Sequence, residues 1–340
     1  RTEFPAIGET PYPLSLGPYG FYWISIDGHD RSTVDTRDVV DLSGPLEGSF
    51  ASDGPLQGIL GGFVAAQSWY QGRPPRRSQI SVADLIPITP GEQDTTMWIA
   101  LLDIDGNASS RDRYVVPIGI SFEPDPAIDA SAVLAHVRRD GTDGILFDAV
   151  QSPHFRAMLL ESILAGETLL GRAGSLICTA GIATVEVPTQ ETIESNVSTN
   201  SLGETYINFG RGFAIKLFRR VEPGVNPDLE LRRFLTERTA FDDIADTYGA
   251  LEYQSGDTYT LGVLQQSFAE DSTAWNVLSG YARSWLDATR DEKALAEPAG
   301  AFGPVDQSPA VALPEAQLLD PALELATRLG RTTADLHQAL

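Results

Sequence analysis

The sequence predicts an α+β fold of antiparallel sheets with flanking helices. Segments rich in β-branched and aromatic residues recur along the whole chain. Several are joined by tight turns, as at Asp105-Gly106 and Gly210-Arg211-Gly212, and such turns make antiparallel hairpins. The helices between them announce themselves by Ser152-Pro153 and Asn226-Pro227, each an N-cap residue followed by proline at the first helical position.

Residues 1–27 read as short strands ending in GFYWISI, and 28–50, opening with the polar run DGHDRSTVDTRD, as a linker. From Pro55 to Tyr70 the residues Ile59, Leu60, Phe63, Val64 and Trp69 recur at helical spacing, against four glycines between Gly54 and Gly62. Three strands follow, 78–88, 95–104 and 113–122, the last two forming a hairpin through Asp105-Gly106. Shorter strands are expected at 144–150 and 174–181, around a helix that starts at Ser152-Pro153 and stops at Gly166. The Ser/Thr/Asn-rich stretch 188–203 reads as a loop. ETYINF and FAIKLF make a hairpin about Gly210-Arg211-Gly212, EPGVNP turns the chain, and DLELRRFLTER is a helix. GALEY and YTLGVLQQSF are two more strands. A helix with Trp275, Leu278, Ala282 and Trp285 on one face comes next, then a Pro/Ala/Gly-rich linker. A last helix from Asp320-Pro321 carries Leu329, Thr333, Leu336 and Leu340 along one stripe and shows no stop signal, so the chain is expected to be cut inside an element.

Composition excludes several classes of function. The formal net charge is −23, a field that repels nucleic acid and anionic membrane. No apolar run approaches the roughly 18 residues of a membrane span. The single cysteine, Cys178, cannot form an internal disulfide or a thiolate metal cluster. With no signal-peptide pattern, a cytoplasmic location is expected, and an N-terminus that begins with Arg rather than Met reads as a fragment or processed product. Neither lysine lies in a Gly-Lys-Ser/Thr phosphate loop, no G-x-G-x-x-G follows a strand, and no G-x-S-x-G elbow occurs. The four histidines have no partner at i+4. DIDGN at 103–107 has its glycine in the wrong place for a calcium loop and is a hairpin turn.

One island departs from the acidic background. Lys216, Arg219, Arg220, Arg232 and Arg233 fall within 18 residues, against Glu222, Asp228 and Glu230, a local cationic spot suited to an anionic ligand. Lys216 is one of only two lysines in the chain and lies between Ile215 and Leu217. In a strand it shares a face with Ala214 and Phe218. A buried ammonium costs several kcal/mol unless it meets an anion, and Glu230 on the next helix offers one. Hairpin, lysine strand, turn and acidic helix follow the order of a kinase N-lobe, where a strand lysine contacts phosphates and pairs with a helix glutamate. The polar loop before the hairpin would add N–H and hydroxyl donors. The other reading is a snorkelling lysine whose stem packs and whose head stays in water.

AIKLFRRVEPGVNPDLELRRFLTER closely resembles the corresponding stretch of bacterial maltokinases, and LGGFVAAQSWYQGRPPRRSQISVADLIPI resembles their N-terminal cap. LGVLQQSF is similar to their hinge strand and LGRTTADLHQAL to the first helix of their C-lobe. The resemblance covers about residues 50–340. Residues 4–26 resemble the last strands of the C-terminal β-domain of trehalose synthases, enzymes fused to maltokinase in some bacteria. It implies five segments: a synthase-like tail over 1–27, a linker over 28–50, a cap over 51–143, an intermediate subdomain and kinase-like N-lobe over 144–270, and a hinge helix with the start of a C-lobe over 271–340. It implies ATP and Mg²⁺ as cofactors, maltose as substrate and a trehalose synthase domain as partner, with no nucleic acid or membrane. Carried over by position, Lys216 would hold the α/β-phosphates, Glu230 would pair with it, and Ser201, Leu202 and Gly203 would cover the phosphates. Backbone groups around Gln265, Gln266 and Phe268 would meet adenine. Where the family has a Ser-Asn-Thr-Ser-type run, this chain has SLGETY, with SNVSTNS upstream. The catalytic aspartate and the metal ligands are expected beyond Leu340, so this stretch alone is expected to be inactive. The alternatives are a glucosamine or other sugar kinase of the same fold and a non-catalytic docking module.

Overall fold

The computed structural model describes residues 39–51, 54–70, 72, 74–88, 95–105, 111–123, 128–181, 194–199, 204–210, 212–267, 273–290 and 320–340. The chain divides into Arg1–Thr33 and Val34–Leu340, and every described residue belongs to the second unit. The strands expected within 1–27 and the linker that follows the Trp275 helix lie outside the described residues.

Two seven-stranded sheets build this unit, and the fold is α+β as expected. The first runs in the order β1 (Val39–Leu42), β5 (Val133–Arg139), β6 (Thr142–Asp148), β4 (Arg111–Ser121), β3 (Thr95–Asp105), β2 (Ile80–Pro87), with the short β12 (Arg220–Val221) also on β4. The expected hairpin pairs β3 with β4 from Thr95↔Ser121 to Asp105↔Arg111. Along β3 the residues alternate between two cores. Met97, Ile99 and Leu101 enter one, while Trp98, Ala100 and Leu102 enter the other. Both faces of this sheet are therefore covered, which is why β3 reads as a continuous apolar run.

The second sheet runs β7 (Thr168–Leu170), β8 (Ser175–Ala180), β13 (Thr247–Ser255), β14 (Asp257–Gln266), β11 (Phe213–Leu217), β10 (Thr205–Phe209), β9 (Ser195–Thr199), all antiparallel. Helix α1 (Gln57–Ala65) packs with the outer core of the first sheet. Between the sheets lies the inner core, into which α2 (Pro153–Ala165) inserts Phe155, Leu159 and Ile163. Its ends are as the sequence sets them: the Ser152 hydroxyl accepts from the Phe155 N–H, and Gly166 stops it with φ 65°. Helix α3 (Pro227–Arg238) covers the far face of the second sheet through Leu229, which meets Ala250 and Val263. Two further helices are α4 (Ala274–Arg290) and α5 (Asp320–Ala339), where Thr332 donates to Asp243 at 2.9 Å. Trp275 is 78% exposed, so it does not share a packed face with Trp285. No helix among the described residues is long and apolar enough to cross a membrane.

Three expectations change. The stretch taken as a linker over 28–50 is structured from Val39 on: β1 pairs parallel with β5, and Leu42, Leu46 and Phe50 are buried. Asn196, Ser198 and Thr199, expected in a loop, belong to β9, an edge strand paired with β10, where mostly polar side chains stay in water. The expected boundary between residues 143 and 144 falls inside β6, which is zipped to β5 through a hairpin at Asp140-Gly141. Both turn residues have positive φ, 52° and 82°.

Three buried polar contacts tie the sheets together. A bulge in β2 turns Asp84 inward, where it accepts from the Tyr253 hydroxyl at 2.7 Å and the Arg172 N–H at 2.6 Å. Burial and this carboxylate push the Tyr253 phenol up to about 12. Arg113 binds Asp103 through two hydrogen bonds of 2.7 and 3.0 Å and lies 4.6 Å over the Tyr259 ring of β14. Arg219, buried just beyond β11, donates to Thr205 at 3.0 Å and to the Val115 carbonyl of β4 at 3.4 Å. Its guanidinium stands 5.2 Å over Trp69.

Candidate functional site

Lys216 is the penultimate residue of β11, with Tyr206 of β10 on one side and Val263 of β14 on the other. Its neighbours Ile215 and Leu217 point into the inner core. Lys216 faces the other way with Phe218, beneath α3, and its side chain is only 13% exposed. The ammonium is 2.7 Å from Glu204 and 3.1 Å from Asp228, and 5.5 Å over the Phe218 ring. Asp228 in turn accepts from Arg232 at 2.8 Å, and Glu204 accepts from the Tyr206 hydroxyl at 3.1 Å. Burial pulls the lysine down, but the hydrogen bonds to both carboxylates outweigh it and hold the ammonium above its usual range. Burial likewise raises Asp228, and Arg232 with Lys216 reverses this, leaving the carboxyl below its usual range. A half-buried lysine with two carboxylates is an ion-paired group, and the freely snorkelling reading does not describe it.

The partner on α3 is Asp228, and the pairing expected with Glu230 is not formed. The cause is helix geometry. Asn226 caps the helix by accepting from the Asp228 N–H at 2.9 Å, which sets the first turn. Asp228 and Arg232, four apart, share the side facing the sheet, while Glu230, two positions on, points to solvent.

The cationic island is likewise neutralised. Arg219 is buried against the first sheet with the field of Asp148 upon it; Arg220 meets Asp112 at 2.9 Å, Arg232 meets Asp228, and Arg233 meets Glu252 at 2.7 Å. Four of the five basic side chains serve the fold, and Lys216 alone stands on the face that α3 only partly covers.

Gln265 pairs across β14 with Ala214 on one side and Thr247 on the other, so it shares the face of Lys216, two residues and roughly 7 Å along the strands. Its Oε1 and the Thr247 Oγ1 are buried and have no hydrogen-bond partner among the described residues. Two unsatisfied acceptors side by side next to the small Ala214 suit a ligand that donates N–H groups. The backbone expectation changes in part. The Gln266 N–H donates to the Asp246 carbonyl at 2.8 Å and the Ser267 N–H to the Gly212 carbonyl at 3.0 Å, so neither is available to adenine. Ser201, Leu202, Gly203 and Phe268 lie outside the described residues. Reasoning from sequence missed Glu204 and Thr247. Glu204 stands two residues before Tyr206, on the same strand face, and that period-2 spacing is the signal that places it over Lys216.

Among the described residues no three His, Cys, Asp or Glu side chains gather into a metal donor set, so no step is assigned to a metal. Cys178 is buried, and its thiol is pushed up to about 12, which removes it as a nucleophile.

Residues 63–151, from the last turn of α1 through β6 and the turn before α2, match the family profile of the maltokinase N-terminal cap domain. This segment is similar to maltokinase caps. The matched segment thus includes β2 to β6 of the first sheet, and its Arg113, Asp112 and Tyr114 meet Tyr259 of the second sheet or the strand that follows Lys216. Two solved structures also match at low identity. One is a glucosamine kinase in complex with glucosamine, ADP and inorganic phosphate, at 14% identity and TM-score 0.46, covering 88% of this chain and 52% of that one. The other is a glucosamine kinase in a second crystal form, at 15% identity and TM-score 0.45, covering 87% and 52%. The chain spans about half the length of the solved structures it matches.

Proposed function

We propose that this chain is the cap and nucleotide-binding lobe of an ATP-dependent sugar kinase, with maltose as the acceptor and maltose 1-phosphate as the product. The observation that carries this reading is Lys216, ion-paired beneath α3 on a sheet fastened to a segment similar to maltokinase caps. In this role the ammonium binds and orients the α/β-phosphates, and the adenine ring would lie toward Gln265, beside the small Ala214. Gln265 and Thr247 then accept hydrogen bonds from the ring's amino group. Phosphoryl transfer needs little covalent chemistry from the protein, so positioning and charge compensation account for most of the rate. Mg²⁺, when bound, would offset the negative charge on the phosphates; the described residues provide no site for it. The trehalose synthase tail over residues 1–27 belongs to the same proposal and would supply maltose directly.

The test uses the intact protein with ATP, Mg²⁺ and either maltose or glucosamine. ATP-dependent formation of maltose 1-phosphate supports the reading. Phosphorylated glucosamine in its place moves the acceptor to the amino sugar, and no phosphorylated sugar at all returns the chain to a docking module.

A further inference from the structure

A cavity of about 220 Å³ lies between α3 and the second sheet, over the end of β8 and the start of β13. On the sheet side it meets Ala180, Gly181, Gly249 and Ala250, and such small residues leave the helix standing off the strands. α3 is correspondingly lightly packed. Of its twelve residues only Leu229 and Leu235 are buried.

The remaining walls are polar. The Thr247 Oγ1 is buried and has no hydrogen-bond partner among the described residues, and the Thr179 hydroxyl reaches the Ala250 carbonyl only at 3.5 Å, the limit of such a bond. Arg232 and Arg233 line the helix side, and both are already matched in charge, Arg232 by Asp228 at 2.8 Å and Arg233 by Glu252 at 2.7 Å. Glu237 adds one more negative charge at the edge. An anion would therefore find no uncompensated cation here. An amine would suit Glu237 but not the guanidinium N–H groups. A ligand that fits must donate to Thr247 and Glu237 and accept from the arginines, and hydroxyl groups do both. The volume sets the size. It falls below the roughly 300 Å³ at which pockets for drug-sized molecules begin, which leaves room for one compact molecule.

We infer that the cavity under α3 binds a small neutral polyol of about monosaccharide size, and that this ligand fastens α3 to the second sheet. Its effect reaches Lys216 by a short path. Arg232 forms a wall of the cavity and also holds Asp228, which pairs with the Lys216 ammonium at 3.1 Å. An occupant that bridges the helix to Thr179 or Thr247 thus holds the Lys216–Asp228 pair in place. The inference does not depend on the nucleotide reading. Under that reading Thr247 borders both the cavity and the place given to adenine, so the polyol is a neighbour of the nucleotide.

D-glucose and myo-inositol serve as probes, each titrated into the intact protein by ligand-observed NMR. About a dozen non-hydrogen atoms at ordinary ligand efficiency give a dissociation constant in the millimolar range. Hydrogen exchange across α3, followed by mass spectrometry, is expected to slow severalfold with at least one probe present. Ala180→Leu fills the cavity from an exposed position at the end of β8. It is expected to weaken binding about tenfold or more and to abolish the slowing, with the urea midpoint unchanged. Thr247→Val removes the unpartnered hydroxyl at nearly constant shape and is expected to weaken binding severalfold. Binding that survives Ala180→Leu undiminished places the probe elsewhere and overturns the inference, as does absence of binding by both probes. Slowing of α3 by inorganic phosphate and by neither polyol overturns the neutral class of ligand. None of these readouts uses ATP, so they stand or fall apart from the nucleotide reading.

Discussion

Replacing Asp84 with alanine removes the acceptor on which the cap and the second sheet meet. Asp84 is 2% exposed and takes hydrogen bonds from the Tyr253 hydroxyl at 2.7 Å, the Arg172 N–H at 2.6 Å and the Leu85 N–H at 2.8 Å. Leu85 is the next residue in the same bulge and can adjust, so the loss falls on the other two donors. Each buried donor left without a partner costs about 1–3 kcal/mol. Asp84→Ala is therefore expected to lower stability by about 3–5 kcal/mol, near the upper end for single substitutions. Urea unfolding followed by tryptophan fluorescence measures it. With a slope of roughly 2 kcal/mol per molar for a protein of this size, the midpoint should fall by about 2 M. A drop below about 0.5 M at unchanged slope would refute the view that this contact fastens the two sheets. Gly171 provides an internal control, because a Cβ there would lie 2.3 Å from the Asp84 carboxylate. Gly171→Ala should destabilise the natural protein and cost markedly less in the Asp84→Ala background, a coupling that a double-mutant cycle reads directly.

Other substitutions test the frame around Lys216. Asn226→Ala removes the cap that sets the first turn of α3 and is expected to cost about 1 kcal/mol in urea unfolding, whereas a distant surface Asn→Ala should be near neutral. The depressed Asp228 carboxyl contributes stability that is present above the unfolded carboxyl pKa and is lost as pH falls through the folded value. The stability gap between the natural protein and Asp228→Asn should therefore be widest near neutral pH and shrink as the pH drops below about 4; a gap that stays constant across this range would contradict the ion pair.

Much of this architecture is legible in the sequence, and the reasons are local. Ser152-Pro153 with Gly166, and Asn226-Pro227, set the ends of helices through backbone rules that need no tertiary context. The β3–β4 and β10–β11 hairpins follow from alternating apolar residues around glycine-bearing turns. β5 was equally available, since Asp140-Gly141 is the same kind of turn signal as Asp105-Gly106, but its charged side chains hid the alternation. β1 and β9 could not be read locally. Their residues are polar or mixed, and they are strands because a neighbouring edge offers them hydrogen bonds. Lys216 was visible as an ammonium in an apolar run, and the need for an anion followed. Which carboxylate answers it depends on helix phase and on strand register from β10, so Asp228 and Glu204 emerged only in three dimensions.

The central claim is that Lys216 orients the phosphates of ATP for transfer to a sugar. The direct measurement is the turnover number for ATP-dependent maltose phosphorylation by the intact protein and by its Lys216→Ala variant, with circular dichroism confirming that the variant is folded. A fall in kcat of about a hundredfold or more is the expected result. An unchanged kcat would make Lys216 a purely structural ion pair and contradict the account.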